Sequence, residues 1–134
     1  TRGRYGVKAM FDLALNQNGG PVSLKSIADR QNLSEAYLEQ LFASLRRAGL
    51  VKSIRGAQGG YLLADTPDNI TIGQILRTLE GTVAPVECVD DMKEGSAKCP
   101  DAENCVTRLV WEKIRDGISD VVDSITLQDM IEKQ

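Results

Sequence analysis

Apolar residues in the first part of the chain recur at helical spacing, stop at clusters of glycine, proline, serine and asparagine, and then recur. Val7, Met10, Phe11 and Ala14 stand three and four apart, which predicts a helix over 4–16 that ends at Asn18-Gly19-Gly20-Pro21. Ser23 then occupies an N-cap position before a short helix over 24–30, whose Leu24, Ile27 and Ala28 make a narrow apolar side. Only Gln31, Asn32 and Leu33 precede the next cap, Ser34. It opens a longer helix to about Ala48, with Tyr37, Leu38, Leu41, Phe42 and Leu45 inward and Gly49 as its stop. A short helix, a tight turn and a longer helix predict a helix-turn-helix.

After Leu50 the period changes. Residues 51–54 and 61–63 predict two strands, joined by Arg55-Gly56-Ala57-Gln58-Gly59-Gly60, a wing whose glycines suit an irregular tip and close backbone approach. Asp65 to Asn69 forms a turn around Pro67. Thr71 and Gln74 have capping-box spacing ahead of Ile75, Leu76 and Leu79, and Gly81 closes that helix. The 23 residues from Thr82 to Asn104 show no periodicity, and a loop of that length is expected to be disordered or organised around a site.

A long helix over 105–125 follows, with Leu109, Trp111, Ile114, Ile118, Val121, Val122 and Ile125 as an apolar stripe. So small a domain cannot cover all of it. Trp111, Ile114, Ile118, Val121 and Ile125 are therefore expected to meet the same helix of a second chain; the alternative is a helix folded back over its own core. Thr126 and Asp129 cap a last short helix through Met130. The expected class is mainly α: a winged helix-turn-helix over 1–81, a cysteine-bearing loop over 82–104, and a dimerisation helix plus C-terminal helix over 105–134.

Composition narrows the function. The net charge of -3 hides a division: residues 1–62 hold nine Lys/Arg against four Asp/Glu, whereas the remainder holds seven against fifteen. A basic region on an acidic protein suits phosphate contacts. The chain has no histidine, which removes the usual neutral-pH proton-transfer group and the commonest partner of cysteine on zinc. With no phosphate loop and no paired acids at an evident pocket, an enzyme is not expected. No apolar run is long enough to span a membrane, Thr1 to Arg4 carry no signal-peptide pattern, and an odd cysteine number argues against a purely intramolecular disulfide framework. A cytoplasmic protein without membrane contact is expected.

The exposed side of the second helix of the motif carries Glu35, Ala36, Glu39, Gln40, Ala43 and Arg46. Entering the major groove of double-stranded DNA by its N-terminal part, it would bring Ala36, Glu39 and Gln40 to base edges. Gln40 can bond adenine through both amide atoms, Ala36 can meet a thymine methyl, and Glu39 can accept from a cytosine amino group. Arg2, Arg4, Arg46, Arg47 and Lys52 read as phosphate anchors, and Arg55 as a minor-groove side chain. A winged-helix module that contacts protein is the competing reading; salt-dependent DNA binding separates the two.

At these residues the chain resembles the IscR/NsrR/CymR family of winged-helix transcription regulators. The matching pieces are Gly3-Arg4-Tyr5-Gly6, the run from Leu33 to Phe42, Leu45 to Val51, Arg55 to Tyr61, and Cys99 and Cys105 ahead of Leu109 and Trp111. The resemblance covers essentially the whole chain and is most specific at the wing. It implies homodimers on palindromic operators, with Glu39 and Gln40 in the major groove and Arg55 in the minor groove. The cysteines make the chain more similar to the iron–sulphur branch than to the cysteine-metabolism repressors.

Cys88, Cys99 and Cys105 are the chain's three cysteines, separated by ten and then five residues. Thiolates are preferred soft ligands for iron–sulphur clusters, and a helix start favours the anionic form of Cys105. The expected cofactor is a [2Fe–2S] cluster; zinc, a Cys99–Cys105 disulfide switch, or no bound group are the alternatives. In the iron–sulphur branch the fourth ligand is a histidine three residues beyond the last cysteine, and the first interval usually has five residues. Here that position is Arg108, which has no usable lone pair, so the fourth ligand is open. Glu87, Asp90, Asp91, Asp101 and Glu103 are nearby oxygen donors. The related NsrR proteins of the family use an aspartate from the first helix of the partner subunit, where this chain has Lys8 and Asp12.

Overall fold

Four helices start where a hydroxyl side chain accepts a backbone N–H that would otherwise lack a partner. Ser23 accepts from Ser26, Ser34 from Tyr37, Thr71 from Gln74 and Thr126 from Asp129; the last two are reciprocated capping boxes. The structure, a computed structural model, describes residues 1–81 and 106–134. Its elements are α1 (Arg2–Asn16), α2 (Leu24–Gln31), α3 (Glu35–Arg47), β1 (Val51–Ile54), β2 (Gly60–Leu63), α4 (Ile72–Glu80), α5 (Val106–Ser124) and α6 (Leu127–Glu132), with single 3-10 turns at Gln17–Gly19 and Pro67–Asn69. The expected loop of 82–104 and its three cysteines lie outside the described residues.

The helix-turn-helix is α2 and α3. Its turn uses Asn32 in the left-handed region at φ 56°, a conformation asparagine tolerates better than most residues. One core serves the whole head. Ala9, Met10 and Leu13 of α1 meet Ile27 of α2, Leu38, Leu41, Phe42 and Leu45 of α3, Ile75 and Leu79 of α4, and Leu127 of α6. Phe42 also packs edge-on to Tyr61 of β2, with centroids 5.0 Å apart, and thereby joins the wing to the core.

The buried side of α1 differs from the expectation. Val7 and Phe11 are only half-buried, whereas Gly3, Gly6, Ala9 and Leu13 face inward. Packing explains the shift. α1 is covered by α4, α6, α2 and β2 on different sides, and its small residues admit α4 at close range. A Cβ on Gly6 would overlap the Leu79 side chain. A pattern that counts only large apolar residues does not register such a face. The start of α1 is likewise capped from a distance: the Gly3 N–H donates to Glu80 Oε1 at 2.5 Å, which holds the Glu80 carboxyl below its ordinary range.

β1 and β2 pair antiparallel in the register Val51↔Leu63, Lys52↔Leu62, Ser53↔Tyr61 and Ile54↔Gly60. β2 starts one residue earlier than expected, and the hairpin has a further rung. Val22 and Tyr61 exchange N–H···O bonds of 2.9 and 2.8 Å, which pins the wing to the α1–α2 connection. A Cβ on Gly60 would run into the Val22 carbonyl, so the glycine permits this third pairing.

α5 differs from every other long helix in having no buried residue. It packs along α4, and its C-terminal end is tied to the head. Thr71 and Thr126, the two capping-box threonines, form an antiparallel bridge; the Ile72 N–H donates to the Ile125 carbonyl and the Leu127 N–H to the Ile70 carbonyl.

Candidate nucleic-acid interface and cysteine segment

α3 buries Leu38, Leu41, Phe42 and Leu45, so its amphipathic spacing turns Glu35, Ala36, Glu39 and Gln40 outward, and all four are exposed. Ala36, Glu39 and Gln40 fall in the N-terminal half of the helix. Ala43 is half-buried. On the wing, β1 buries only Val51 and leaves Lys52, Ser53 and Ile54 exposed; Arg55 follows, also exposed, at the base of the glycine-rich tip. A cleft of about 430 Å³ separates that tip from the start of α2. Polar groups of Asn16, Ser23, Ser26, Arg30 and Gln58 line it.

The cations named as phosphate anchors have different surroundings. Arg4, Arg46, Arg47 and Lys52 are exposed. Arg46 and Arg47 close the last turn of α3, where they also complement the helix dipole. Arg2 is half-buried and internally engaged, with its Nε donating to the Leu79 carbonyl at 3.2 Å and a terminal nitrogen to Ser44 Oγ at 3.4 Å. Arg47 donates to the same Ser44 hydroxyl at 3.3 Å. Ser44 thus gathers the start of α1 and the end of α3, a role sequence inspection missed. Its only local signal is a position three residues before Arg47.

Asp12, noted in the sequence only as a possible ligand position, has a role in the core that sequence reasoning missed. It is 3% exposed, the buried charged residue of the described core. Arg30 clasps it with Nε at 3.2 and 3.0 Å and a terminal nitrogen at 2.7 Å, and Gln31 donates to it at 3.0 Å. The bond to Asp12 raises the Arg30 pKa further. One acid and one base are withdrawn together, so the basic excess of residues 1–62 is unchanged. The pair instead fixes α2 against α1 and so sets the platform on which α3 stands. It also means that Asp12 is already committed within its own chain, leaving it poorly suited to serve as a ligand for a partner's metal group.

At the other candidate ligand position, Arg108 donates through Nε to Glu112 Oε1 at 2.7 Å, an i,i+4 pair on α5. A guanidinium cannot ligate, and here it is held along its own helix. Cys88, Cys99 and Cys105 themselves, and the acidic residues between them, lie outside the described residues. Three soft thiolates fit an iron–sulphur group by donor chemistry; Arg108 has no lone pair to add, and Asp12 is engaged by Arg30 and Gln31.

The apolar side of α5 is open. Trp111, Ile114, Ile118 and Val121 are 38%, 39%, 37% and 57% exposed, while Ile125 is half-buried where the helix meets the head. These five residues alternate in steps of three and four, the narrow seam of a helix that packs on another helix.

The family model of Rrf2, described as "Iron-dependent Transcriptional regulator", matches residues 1–133. This chain belongs to the Rrf2 family. The HTH-type transcriptional regulator CymR of Bacillus subtilis is 52% identical over 130 residues, spanning 97% of this chain and 86% of that protein. The HTH-type transcriptional regulator IscR of Erwinia tasmaniensis is 40% identical over 134 residues, 100% of this chain and 78% of that one. Among solved structures, CymR (YrzC), the global cysteine regulator of B. subtilis, superposes with a TM-score of 0.80 at 50% identity, covering 100% and 95% of the two chains. IscR of T. potens gives 0.77 at 54% identity, covering 99% and 85%. The Rrf2 chain is therefore a winged-helix transcriptional regulator related to both kinds of protein, and its relatives are regulators rather than enzymes. No described helix is long and apolar enough to cross a membrane.

Proposed function

We propose that two copies of this Rrf2 regulator bind a palindromic operator and that a cluster held by Cys88, Cys99 and Cys105 sets how tightly they do so, in the control of iron–sulphur or cysteine metabolism. The observation that carries the DNA reading is the exposed set Ala36, Glu39 and Gln40 on α3 beside the exposed Lys52 and Arg55 of the wing. Gln40 and Ala36 read adenine and thymine in the major groove, and Glu39 gains discrimination by repelling what is not a cytosine amino group. Arg55 enters a narrow minor groove, while Arg4, Arg46, Arg47 and Lys52 hold phosphates. Arg2, tied to Leu79 and Ser44, contributes chiefly by positioning α3.

The cluster reading rests on the three thiols, on 54% identity to an IscR, and on the family's iron dependence. A bound cluster would supply an iron- and oxidation-sensitive group. An oxygen donor completes its ligand set in this proposal. The 52% identity to CymR, together with arginine at the family's histidine position, supports the second reading, a cluster-free thiol- or zinc-responsive repressor.

One anaerobic purification separates them. Iron and acid-labile sulphide in brown protein are expected; zinc without sulphide, or neither after reconstitution, selects the second reading. For DNA, selection from random duplexes should return a palindrome. Arg55→Ala should weaken binding most where the flanking groove is A·T-rich, by roughly tenfold, about 1.4 kcal/mol. Glu39→Ala should relax base preference with little loss of affinity; unchanged preference over the same spread of affinities would show that this carboxylate reads nothing.

A further inference from the structure

We propose that Gly73, Arg77 and Asp123 form a clamp that fixes the direction in which α5 leaves the DNA-binding head, and thereby the half-site separation the dimer accepts. The proposal rests on the reading of α5 as the dimer helix and of α3 as the DNA reader. With no buried residue of its own, α5 takes its direction from its C-terminal junction and from its packing along α4. The Thr71–Thr126 bridge holds its C-terminal junction in place. A single bridge is a pivot, and packing along α4 without a buried residue leaves α5 free to turn unless a directional contact holds it.

That stop is the ion pair between α4 and the last turn of α5. Arg77 donates to both carboxylate oxygens of Asp123, at 2.6 and 3.0 Å. Two parallel bonds define a plane as well as a distance, so they resist twisting where a single contact would not. The same bonds hold the Asp123 carboxyl below its ordinary range and raise the Arg77 guanidinium above its own. Beneath them lies Gly73, buried in the first turn of α4. A Cβ there would overlap Asp123 Oδ1 and come within 2.7 Å of an Arg77 terminal nitrogen. The glycine thus leaves the space in which the pair closes.

The pair is a poor candidate for a stabilising device, because the two side chains are 34% and 46% exposed and water screens them. Its effect is amplified as geometry instead. A helix the length of α5 is about 28 Å long, so a turn of roughly 10° at one end moves the other by about 5 Å. One base-pair step is about 3.4 Å, so a loose clamp spans neighbouring operator spacings.

The test uses the full chain and its selected palindrome, with the half-sites moved apart or together one base pair at a time. Wild type should prefer one separation by roughly tenfold over its neighbours. Arg77→Lys keeps the charge but not the planar fork. It should leave dimer sedimentation and single half-site affinity unchanged while flattening the spacing preference to within about twofold. Asp123→Asn is the second variant and should flatten the preference in the same way. Dimers of both variants with the wild-type spacing profile overturn the clamp alone. A wild-type chain that sediments as a monomer overturns the dimer reading and the clamp with it.

Discussion

The head and α5 solve the same problem in opposite ways. In the head, every α-helix and both strands contribute to one closed core, and its single buried charge is fully partnered by Arg30 and Gln31. α5 is longer than any helix of the head and has no fully buried residue, yet it carries an apolar seam as regular as a core helix. The difference teaches that hydrophobic periodicity reports which side of a helix will be covered, and not by which chain. A seam that its own fold leaves open is expected to be closed by a second copy, because identical seams are complementary under a twofold axis.

Changes to the head should therefore lower folding stability, and changes to the seam should lower association. Phe42→Ala removes a fully buried ring that also holds Tyr61 of the wing, and should destabilise the head by about 3–5 kcal/mol. Denaturant midpoints measure this; a loss under about 1 kcal/mol would mean the core closes around the gap. Ile118→Glu places a charge twice in a symmetric seam and should raise the dimer dissociation constant by roughly a hundredfold or more, about 3 kcal/mol, with the thermal transition of the head little changed. Sedimentation in which wild type and variant behave alike would move the dimer contact away from α5.

Asp12→Ala sharpens the comparison within the head. It leaves a guanidinium without its partner, but the Arg30 side chain is 40% exposed and can turn to water. The cost should be about 1–3 kcal/mol, below that of a fully buried broken pair, and α2 should lose amide protection before α3 does. If α2 keeps its protection, the pair does not hold α2 to α1.

The smallest effect is expected from acid. Asp65, Glu80 and Asp123 are all held below the ordinary carboxylate range by hydrogen bonds, from Asn69, Gly3 and Arg77 respectively. A lowered folded-state pKa contributes stability that is fully present above the unfolded value of about 4 and is lost as pH falls through the lowered ones. All three carboxylates are largely exposed, so the slope should be shallow. Asp123→Asn should flatten it further; an unchanged slope in that variant would assign the effect to Glu80 and Asp65.

Much of the fold was legible because its signals are local. Ser23, Ser34, Thr71 and Thr126 cap helices through N–H groups three residues away, and the wing follows from a change of period at Leu50. The outward side of α3 was legible too, since one apolar stripe fixes the other side by exclusion. What could not be read links residues far apart in sequence. Arg30 meets Asp12 across 18 positions, Gly3 meets Glu80 across 77, and Arg77 meets Asp123 across 46.

By itself, then, the sequence determined the elements, their order, the exposed side of α3 and the three thiols that make a cluster worth testing. Only the tertiary structure decided that Asp12 is committed within its own chain, that Arg2 belongs to the frame around Ser44, that Val22 extends the wing, and that Gly73 leaves room for the Arg77–Asp123 pair. The physical reason is range. Caps and turns act within about four residues and are written in adjacent side chains, whereas the partner of a buried charge or a bare glycine is set by which surfaces the collapsed chain brings together.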